Sequence, residues 1–162
     1  MRIKASVPLQ TAVDEAVAHI KQEMERRSYL VANELKNASL EVLRGQRNGR
    51  RYRVPGTYRK QRDKTDGEMK NGRYYTASAP GEPPAVRTGT FRLSWQPSAR
   101  VADGVYISQI DSDLPTENGK YTLGQILEEG TPNGQMKPRP YQGLILEKAE
   151  PEIERIYSEP YF

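Results

Sequence analysis

One segment of this sequence has the residue types that bind a polyanion. Between Arg44 and Arg73 there are eleven Lys or Arg and three Asp or Glu, whereas the whole chain has a net charge of +4. Positive side chains neutralise phosphates, and the interleaved Tyr52 and Tyr58 supply rings that can stack on bases. The candidate contacts with DNA or with an acidic partner are Arg47, Arg50, Arg51, Arg53, Arg59, Lys60 and Arg62.

No base-reading motif accompanies this basic segment. The sequence has neither a helix-turn-helix signature nor the Cys and His spacing of a zinc finger, so we expect any nucleic-acid contact to be electrostatic and independent of base sequence. A solvated loop, or a loop that docks on another protein, explains the same charges equally well.

Residues with catalytic or metal-binding chemistry are isolated from one another. His19 has no second histidine, and the chain has no cysteine. Glu128 and Glu129 are adjacent, so their side chains diverge and cannot form a facing pair of carboxylates. Asp111 and Asp113 lack the glycine and the closing glutamate of a calcium loop. Nucleotide-binding and hydrolase motifs are missing too, and we therefore predict a protein that is not an enzyme and needs no cofactor.

Length and composition favour one domain, residues 1–162. The absence of cysteine fits a reducing compartment. Hydrophobic residues make up 35% and charged residues 28% of the chain, which suits a modest core with charged arms. No stretch approaches the roughly 20 apolar residues of a membrane-spanning helix, and we expect no contact with a membrane. We expect the protein to be made and to stay in the cytoplasm.

The hydrophobic pattern places a long helix first and a basic arm second. Apolar residues recur every three or four positions over residues 11–44, which predicts a helix of about 50 Å. A break near 27–29, giving two helices, is the alternative. If the helix is unbroken, a neighbouring subunit could cover part of its apolar stripe. In the basic arm, residues 45–77, the stretches 51–54 and 72–76 have strand character and predict a hairpin.

The rest of the chain, residues 78–162, predicts a small sheet with helices on one side. Three prolines predict an extended, polyproline-like strap over 79–85, and Thr88 is expected to cap a short helix in which Phe91 and residues 93–95 form the apolar side and Arg92 lies outside. Period-two alternation around Asp103-Gly104 predicts a hairpin. A short helix over 121–129 is expected to lie on the sheet, followed by a C-terminal helix. The fold class is therefore α+β with a small, mostly antiparallel sheet.

Two blocks of sequence resemble a known family. The first is Ser78-Ala-Pro-Gly-Glu-Pro-Pro-Ala-Val86, followed by Thr88-Gly89 and Leu93, and the second is Leu127-Glu-Glu-Gly-Thr131 with Met136-Lys-Pro-Arg-Pro-Tyr141. In this order they are similar to the signature of the neck or tail-completion family of long-tailed bacteriophages. Arg87 and Phe91 depart from it, since the family has an acidic and an aliphatic residue there, and the basic arm is longer than usual.

The resemblance implies a structural virion protein at the junction between the DNA-filled head and the tail. The implied form is a ring, of six copies, at the head-proximal end of the tail tube, contacting a neighbouring neck protein and the tail tube protein. The basic arm could face packaged DNA, without base specificity, or an acidic neighbour. The strap would hold a docking segment extended and so lower the entropy lost on assembly. The candidate interface residues are Pro80, Gly81, Pro83, Pro84, Thr88, Gly89, Phe91, Arg139 and Tyr141.

Two other functions remain open at this point. An adaptor or stopper ring elsewhere in the same neck would need the same kind of self-associating α+β protein. A nonspecific nucleic-acid-binding protein would use the basic arm as its main site.

Overall fold

A computed structural model describes residues 8–54 and 74–161. The elements in chain order are α1 (Leu9–Val42), β1 (Arg51–Arg53), β2 (Tyr74–Thr76), α2 (Thr90–Leu93), β3 (Gln96–Ala102), β4 (Val105–Asp111), α3 (Leu123–Glu129) and α4 (Gln142–Ser158). The strands form two separate antiparallel pairs, β1 with β2 and β3 with β4. The predicted α+β class is confirmed, with the strands divided between two sheets. Within the described residues, no helix is both long and apolar enough to cross a membrane.

Helix α1 is the central element of the fold. It runs unbroken through 27–29, so the two-helix alternative is wrong. Its C-terminal half packs against α4 and against both strands of the β3–β4 hairpin, because its stripe of apolar side chains faces these elements. The buried apolar side chains of the core are Val31, Leu35, Ala38, Leu43, Trp95, Tyr141, Ile145, Ala149 and Ile156.

The β3–β4 hairpin is held on α1 by side chains from one face. Its turn is Asp103-Gly104, where both residues have positive φ angles of 51° and 78°, as a two-residue hairpin turn requires. Tyr106 and Ser108 point to the same face of β4, and the Ser108 hydroxyl donates to the carbonyl of Ser28 at 2.9 Å. The predicted hairpin is confirmed in position and in turn.

An aromatic cluster joins α2, α3 and the start of α4. The rings of Phe91, Trp95 and Tyr141 meet edge to face, with centroids 5.5 to 5.9 Å apart. Gly124 of α3 lies against this cluster, since a Cβ there would come within 2.9 Å of the Tyr141 hydroxyl. Helix α3 therefore packs against the aromatic cluster, and the prediction that it lies on the sheet is wrong.

The short helix α2 differs in orientation from the prediction. Leu93 is exposed, although we expected it on the apolar side. Arg92 is half-buried and its Nε is buried without a hydrogen-bond partner in the described part of the chain, although we expected this residue outside. A helix of four residues buries only one narrow face, and Phe91 occupies it.

Candidate assembly surfaces and the basic arm

The two sequence blocks that carry the resemblance lie side by side in the structure. The Arg139 guanidinium donates to the hydroxyl of Ser78, and the backbone amide of Gly81 donates to the carbonyl of Pro138 at 3.2 Å. Farther along both blocks, Phe91 and Tyr141 are in ring contact. Segments about 60 residues apart in the chain are thus one continuous structural unit.

The strap begins with a tight turn and not with extended chain. The amide of Glu82 donates to the carbonyl of Ala79 at 3.1 Å, and Gly81 has a φ angle of +83°. Pro at the second position and a left-handed Gly at the third define a type II turn. The prediction of an extended strap over 79–85 is therefore wrong in its first half, because Gly81 permits a reversal that the prolines alone would not make.

Glu82 joins this turn to the base of the basic arm. Its carboxylate accepts hydrogen bonds from the amide of Ala79 at 2.8 Å, from the amide of Asn48 at 3.1 Å and from the side chain of Asn48 at 2.7 Å. Hydrogen bonds to the charged form favour it, and those from the Asn48 and Ala79 backbone lower the pKa of Glu82. Strap and arm are therefore fixed to each other at neutral pH.

Arg47 is a second link between the same segments. Its guanidinium donates to the carbonyls of Val42 at 2.8 Å, Gln46 at 2.9 Å and Pro84 at 3.1 Å. Burial lowers its pKa, since desolvation disfavours the charged form. The prediction that Arg47 faces DNA or an acidic partner is not supported, because three carbonyl groups already occupy its donors.

The candidate interface residues fall into three groups by exposure. Exposed residues are Pro80, Gly81 and Thr88; half-buried residues are Pro83, Gly89, Phe91 and Arg139; buried residues are Pro84 and Tyr141. Tyr141 is 1% exposed, and its hydroxyl donates to the carbonyl of Gly124 at 3.1 Å. The structure thus places Tyr141 in the core and not on an interface, because its ring fills the space between α2 and α3.

A cleft of about 330 Å³ lies between the second half of the strap and α3. Val86, Phe91, Leu123 and Leu127 give it apolar walls, and Thr88 lies at its exposed side. Clefts of this kind accept apolar groups, so this part of the signature has room for an apolar side chain of another protein.

The first three turns of α1 form an exposed apolar stripe. Leu9, Val13, Val17 and Ile20 are 80%, 46%, 44% and 38% exposed, and their spacing puts them on one face of the helix. The hydroxyl of Tyr106 reaches the carbonyl of Lys21 at 3.4 Å, next to the end of this stripe. We call residues 9–20, which are exposed except for the half-buried Ala16, the free end of α1.

The described base of the basic arm is a ladder of arginine and tyrosine. Arg51 pairs with Thr76, Tyr52 with Tyr75 and Arg53 with Tyr74, so the predicted strands are confirmed as an antiparallel pair over Arg51–Arg53 and Tyr74–Thr76. Arg51 and Arg53 stack on the ring of Tyr74, with centroid distances of 4.7 and 5.5 Å. The other predicted contacts, Arg59, Lys60 and Arg62, lie outside the described residues.

Sequence reasoning missed Arg27, the largest of the fully buried side chains in the described residues. Its guanidinium is 1% exposed and donates to the carbonyls of Glu159 at 2.7 Å and Pro160 at 2.8 Å. It also lies 4.0 Å from the centre of the Tyr161 ring. Its position in the sequence could have identified it as buried, because Arg27 falls three residues after Met24 and four before Val31, on the apolar stripe of the helix.

Comparisons of the chain with protein families, with curated proteins and with solved structures return no match. Over residues 8–54 and 74–161, no three His, Asp or Glu side chains are grouped so that they could hold a metal ion.

Proposed function

We propose that this protein is a structural component of a bacteriophage virion that joins the tail to the DNA-filled head, as a ring at the head-proximal end of the tail. The observation that carries this proposal is the free end of α1, where Leu9, Val13, Val17 and Ile20 are exposed on one face. A contiguous exposed apolar face typically marks an interaction surface. The chain therefore works in an assembly.

The energetics favour a partner for the free end of α1. Burying a Val, Leu or Ile side chain fully is worth about 1.5–3 kcal/mol, and four such side chains share this face. Each of the four is between 38% and 80% exposed, so part of this free energy can be gained only by contact with a partner. Covering the stripe with another subunit would stabilise the helix and the assembly together.

A ring needs two different, complementary surfaces on each copy. The apolar stripe of the free end of α1 is one candidate, and the cleft lined by Val86, Phe91 and Leu127 is the other. Three further residues of the first block are exposed near this cleft: Pro80, Gly81 and Thr88. The two blocks, 78–93 and 127–141, resemble neck proteins, and this resemblance supports a location of the assembly between head and tail.

Electron microscopy of phage lysates tests this function. In the phage that encodes this chain, an early stop codon should leave DNA-filled heads beside separate tails. Tails of abnormal length would assign the protein to tail termination, whereas normal tails would favour an adaptor or stopper ring. Intact, infectious virions would reject a joining role.

A pair of charge variants tests the apolar stripe as the assembly surface. The double variant Val13→Glu/Val17→Glu should fail to restore infectious virions and should be monomeric by light scattering, because two charges cannot be buried in an apolar contact. Thr11→Glu/Ala18→Glu places the same charges on the opposite, exposed face of α1 and should behave as the wild type. Equal behaviour of the two variants would contradict the assignment of this surface.

A further inference from the structure

We propose that the free end of α1 in one copy docks in the cleft between the strap and α3 of the next copy, so that the chains associate head to tail. The inference rests on the proposed function only in needing a chain that self-associates, and it concerns how two copies meet. Three properties of the described residues support it: the positions of the two surfaces along α1, their opposite charges and their exposed apolar side chains.

The two surfaces lie at opposite ends of one unbroken helix. The free end begins α1, whereas the buried Leu43, directly after the last residue of α1, lines the cleft. At a rise of about 1.5 Å per residue, Val17 and Leu43 are about 40 Å apart. A chain therefore cannot place its own free end in its own cleft. Contact between two different surfaces of two copies is heterologous, and repeated contacts of this kind form a ring when the rotation closes.

The charges of the two surfaces are opposite. Asp14 and Glu15 are the only charged residues of the free end, because His19 is neutral at pH 7. Among the described residues that line the cleft, Arg87 and Arg92 are the only charged ones. Each surface thus carries two charges of a single sign. Complementary charges across a contact speed the encounter, fix its orientation and disfavour wrong partners.

Arg92 is a partly buried charge without a counter-charge in its own chain. Its side chain is half-buried, and its Nε has no hydrogen-bond partner in the described part of the chain. No carboxylate forms an ion pair with Arg92 or Arg87 in the same ranges. Burying a charge without a partner costs free energy, and a carboxylate from the next copy would offset this cost.

Asp14 is the carboxylate that borders the apolar stripe. It follows Val13, and one residue along a helix is a rotation of about 100°, so Asp14 flanks the stripe while Glu15 points away from it. One oxygen of Asp14 accepts a hydrogen bond from the side chain of Gln10 at 2.9 Å. A carboxylate has several lone-pair sites, so Asp14 can also accept from a guanidinium of the cleft.

The apolar side chains have the spacing of a helix that binds in a groove. Leu9, Val13, Val17 and Ile20 follow one another at intervals of three or four residues, as the anchors of such helices do. The cleft has a volume of about 330 Å³, and Val86 in its lining is 37% exposed. Docking removes apolar surface of both partners from water, which is the main favourable contribution to association.

Symmetric pairing of two free ends is the competing arrangement. It would also cover the apolar stripe, but it would bring together four carboxylates, Asp14 and Glu15 of both copies, without a Lys or Arg on either free end. Like charges placed together across a contact cost free energy. It would also leave the cleft and Arg92 without a partner. The head-to-tail contact satisfies both surfaces at once.

Crosslinking between introduced cysteines tests the contact, because the chain has none of its own. The full chain with Gln10→Cys/Thr88→Cys has one thiol beside the stripe and one at the exposed side of the cleft. A short bismaleimide should give a ladder of dimers, trimers and larger species on a denaturing gel, and each single variant should give none. Thr11→Cys/Thr88→Cys is the matched control. It should crosslink far more slowly, since Thr11 lies on the opposite, exposed face of α1.

A charge exchange tests the polar part of the contact. Asp14→Lys and Arg87→Glu should each weaken self-association by about tenfold in sedimentation velocity, because each brings like charges together. The double variant Asp14→Lys/Arg87→Glu should return to within about threefold of the wild type, since the pair is restored in reverse. Asp14→Lys/Arg100→Glu restores the net charge at an exposed position that does not line the cleft and should remain weak.

Four results would overturn the proposal. They are a wild-type chain that stays monomeric at its highest soluble concentration, equal crosslinking of the Gln10→Cys/Thr88→Cys and Thr11→Cys/Thr88→Cys variants, dimers from Gln10→Cys alone, which would indicate symmetric pairing, and no recovery in Asp14→Lys/Arg87→Glu. None of these would change the phenotype of the stop codon in the phage, and intact virions without this chain would not remove a ladder seen with the purified protein. Failure of the contact and failure of the joining function are therefore separate outcomes.

Discussion

At the scale of single residues, Arg27 shows how a charge can be part of the core. Helix α4 ends at Ser158, and the last carbonyl groups of a helix have no partner within it. The Arg27 guanidinium supplies that partner, donating to the carbonyls of Tyr157, Glu159 and Pro160, while Glu23 balances its charge at 3.1 Å. One side chain of α1 thus fixes the C-terminal end of α4.

Neighbouring arginines allow a controlled test of this role. Arg27→Met should lower the free energy of unfolding by about 3 kcal/mol, because it leaves several backbone acceptors without a charged donor. Arg26→Met removes an equal charge that also pairs with Glu23, but Arg26 is half exposed, and the cost should be much smaller because solvent screens an exposed ion pair. Urea unfolding measures both, and similar costs for the two variants would contradict the capping role.

Glu23 makes part of the stability dependent on pH. Hydrogen bonds from Arg26 and then Arg27 lower its pKa to about 2. Below the ordinary value of about 4.3, the unfolded chain binds this proton first, so the contribution of Glu23 is present above that pH and is lost as the pH falls toward 2. The variant Glu23→Gln should therefore be less stable than the wild type at pH 7, and the gap should close between pH 4.5 and 2. Thermal unfolding across this range tests it, and a gap that stays constant would be the contrary result.

At the scale of elements, the arm, the strap and the second signature block are one unit. Gly49 lies where the arm leaves the body, and a Cβ there would come within 2.5 Å of the carbonyl oxygen of Ala77. Backbone atoms are the obstacle, so no side-chain rotation can relieve the contact. Because the base of the arm and the body approach so closely here, Glu82 can bind Asn48 and Arg47 can bind the carbonyl of Pro84.

A pair of glycine substitutions tests this close approach. Gly49→Ala should destabilise the protein by about 2 kcal/mol, because the β1–β2 ladder must separate at its base. Gly143→Ala, in α4 with open space around its Cβ position, should be neutral or stabilise by up to about 1 kcal/mol. Thermal melts compare the two, and limited proteolysis should show faster cleavage of the arm only in Gly49→Ala. Equal stability of both variants would count against the close packing.

At the scale of the whole molecule, α1 has two halves with different environments. Its second half is buried among α4 and the β3–β4 hairpin, whereas the free end projects with its apolar stripe exposed. The chain therefore carries, on one helix, the centre of its own core and a surface that suits a neighbour. In a monomer, the apolar stripe of the free end is exposed to water.

Hydrogen exchange distinguishes the two halves. In dilute protein, amides of residues 12–20 should exchange within seconds to minutes, because these residues are exposed and the end of the helix can open locally. At concentrations where the protein assembles, their protection should rise by at least about tenfold, while amides of 145–156 in α4 should stay unchanged. Protection of 12–20 that is independent of concentration would show that the free end does not need a partner.

Much of the local structure could be predicted from the sequence because local forces decide it. The repeat of apolar residues at three and four positions predicts α1, and Asp103-Gly104 with alternating neighbours predicts the β3–β4 turn. The charge imbalance located the basic arm. Each of these depends on residues a few positions apart, whose preferences no distant contact overrode.

What only the tertiary structure decided are the roles that depend on residues far apart in the sequence. Whether Arg47 binds phosphate or carbonyl groups depends on Pro84, 37 positions away. Whether Tyr141 packs in the core depends on Gly124 and Phe91, and Arg27 becomes a buried cap only because α4 ends beside α1. The sequence by itself determined the helices and the Asp103-Gly104 turn, since neighbouring residues set these. It could not determine which polar groups meet, because the free energy of a polar side chain depends on the partner that folding places next to it.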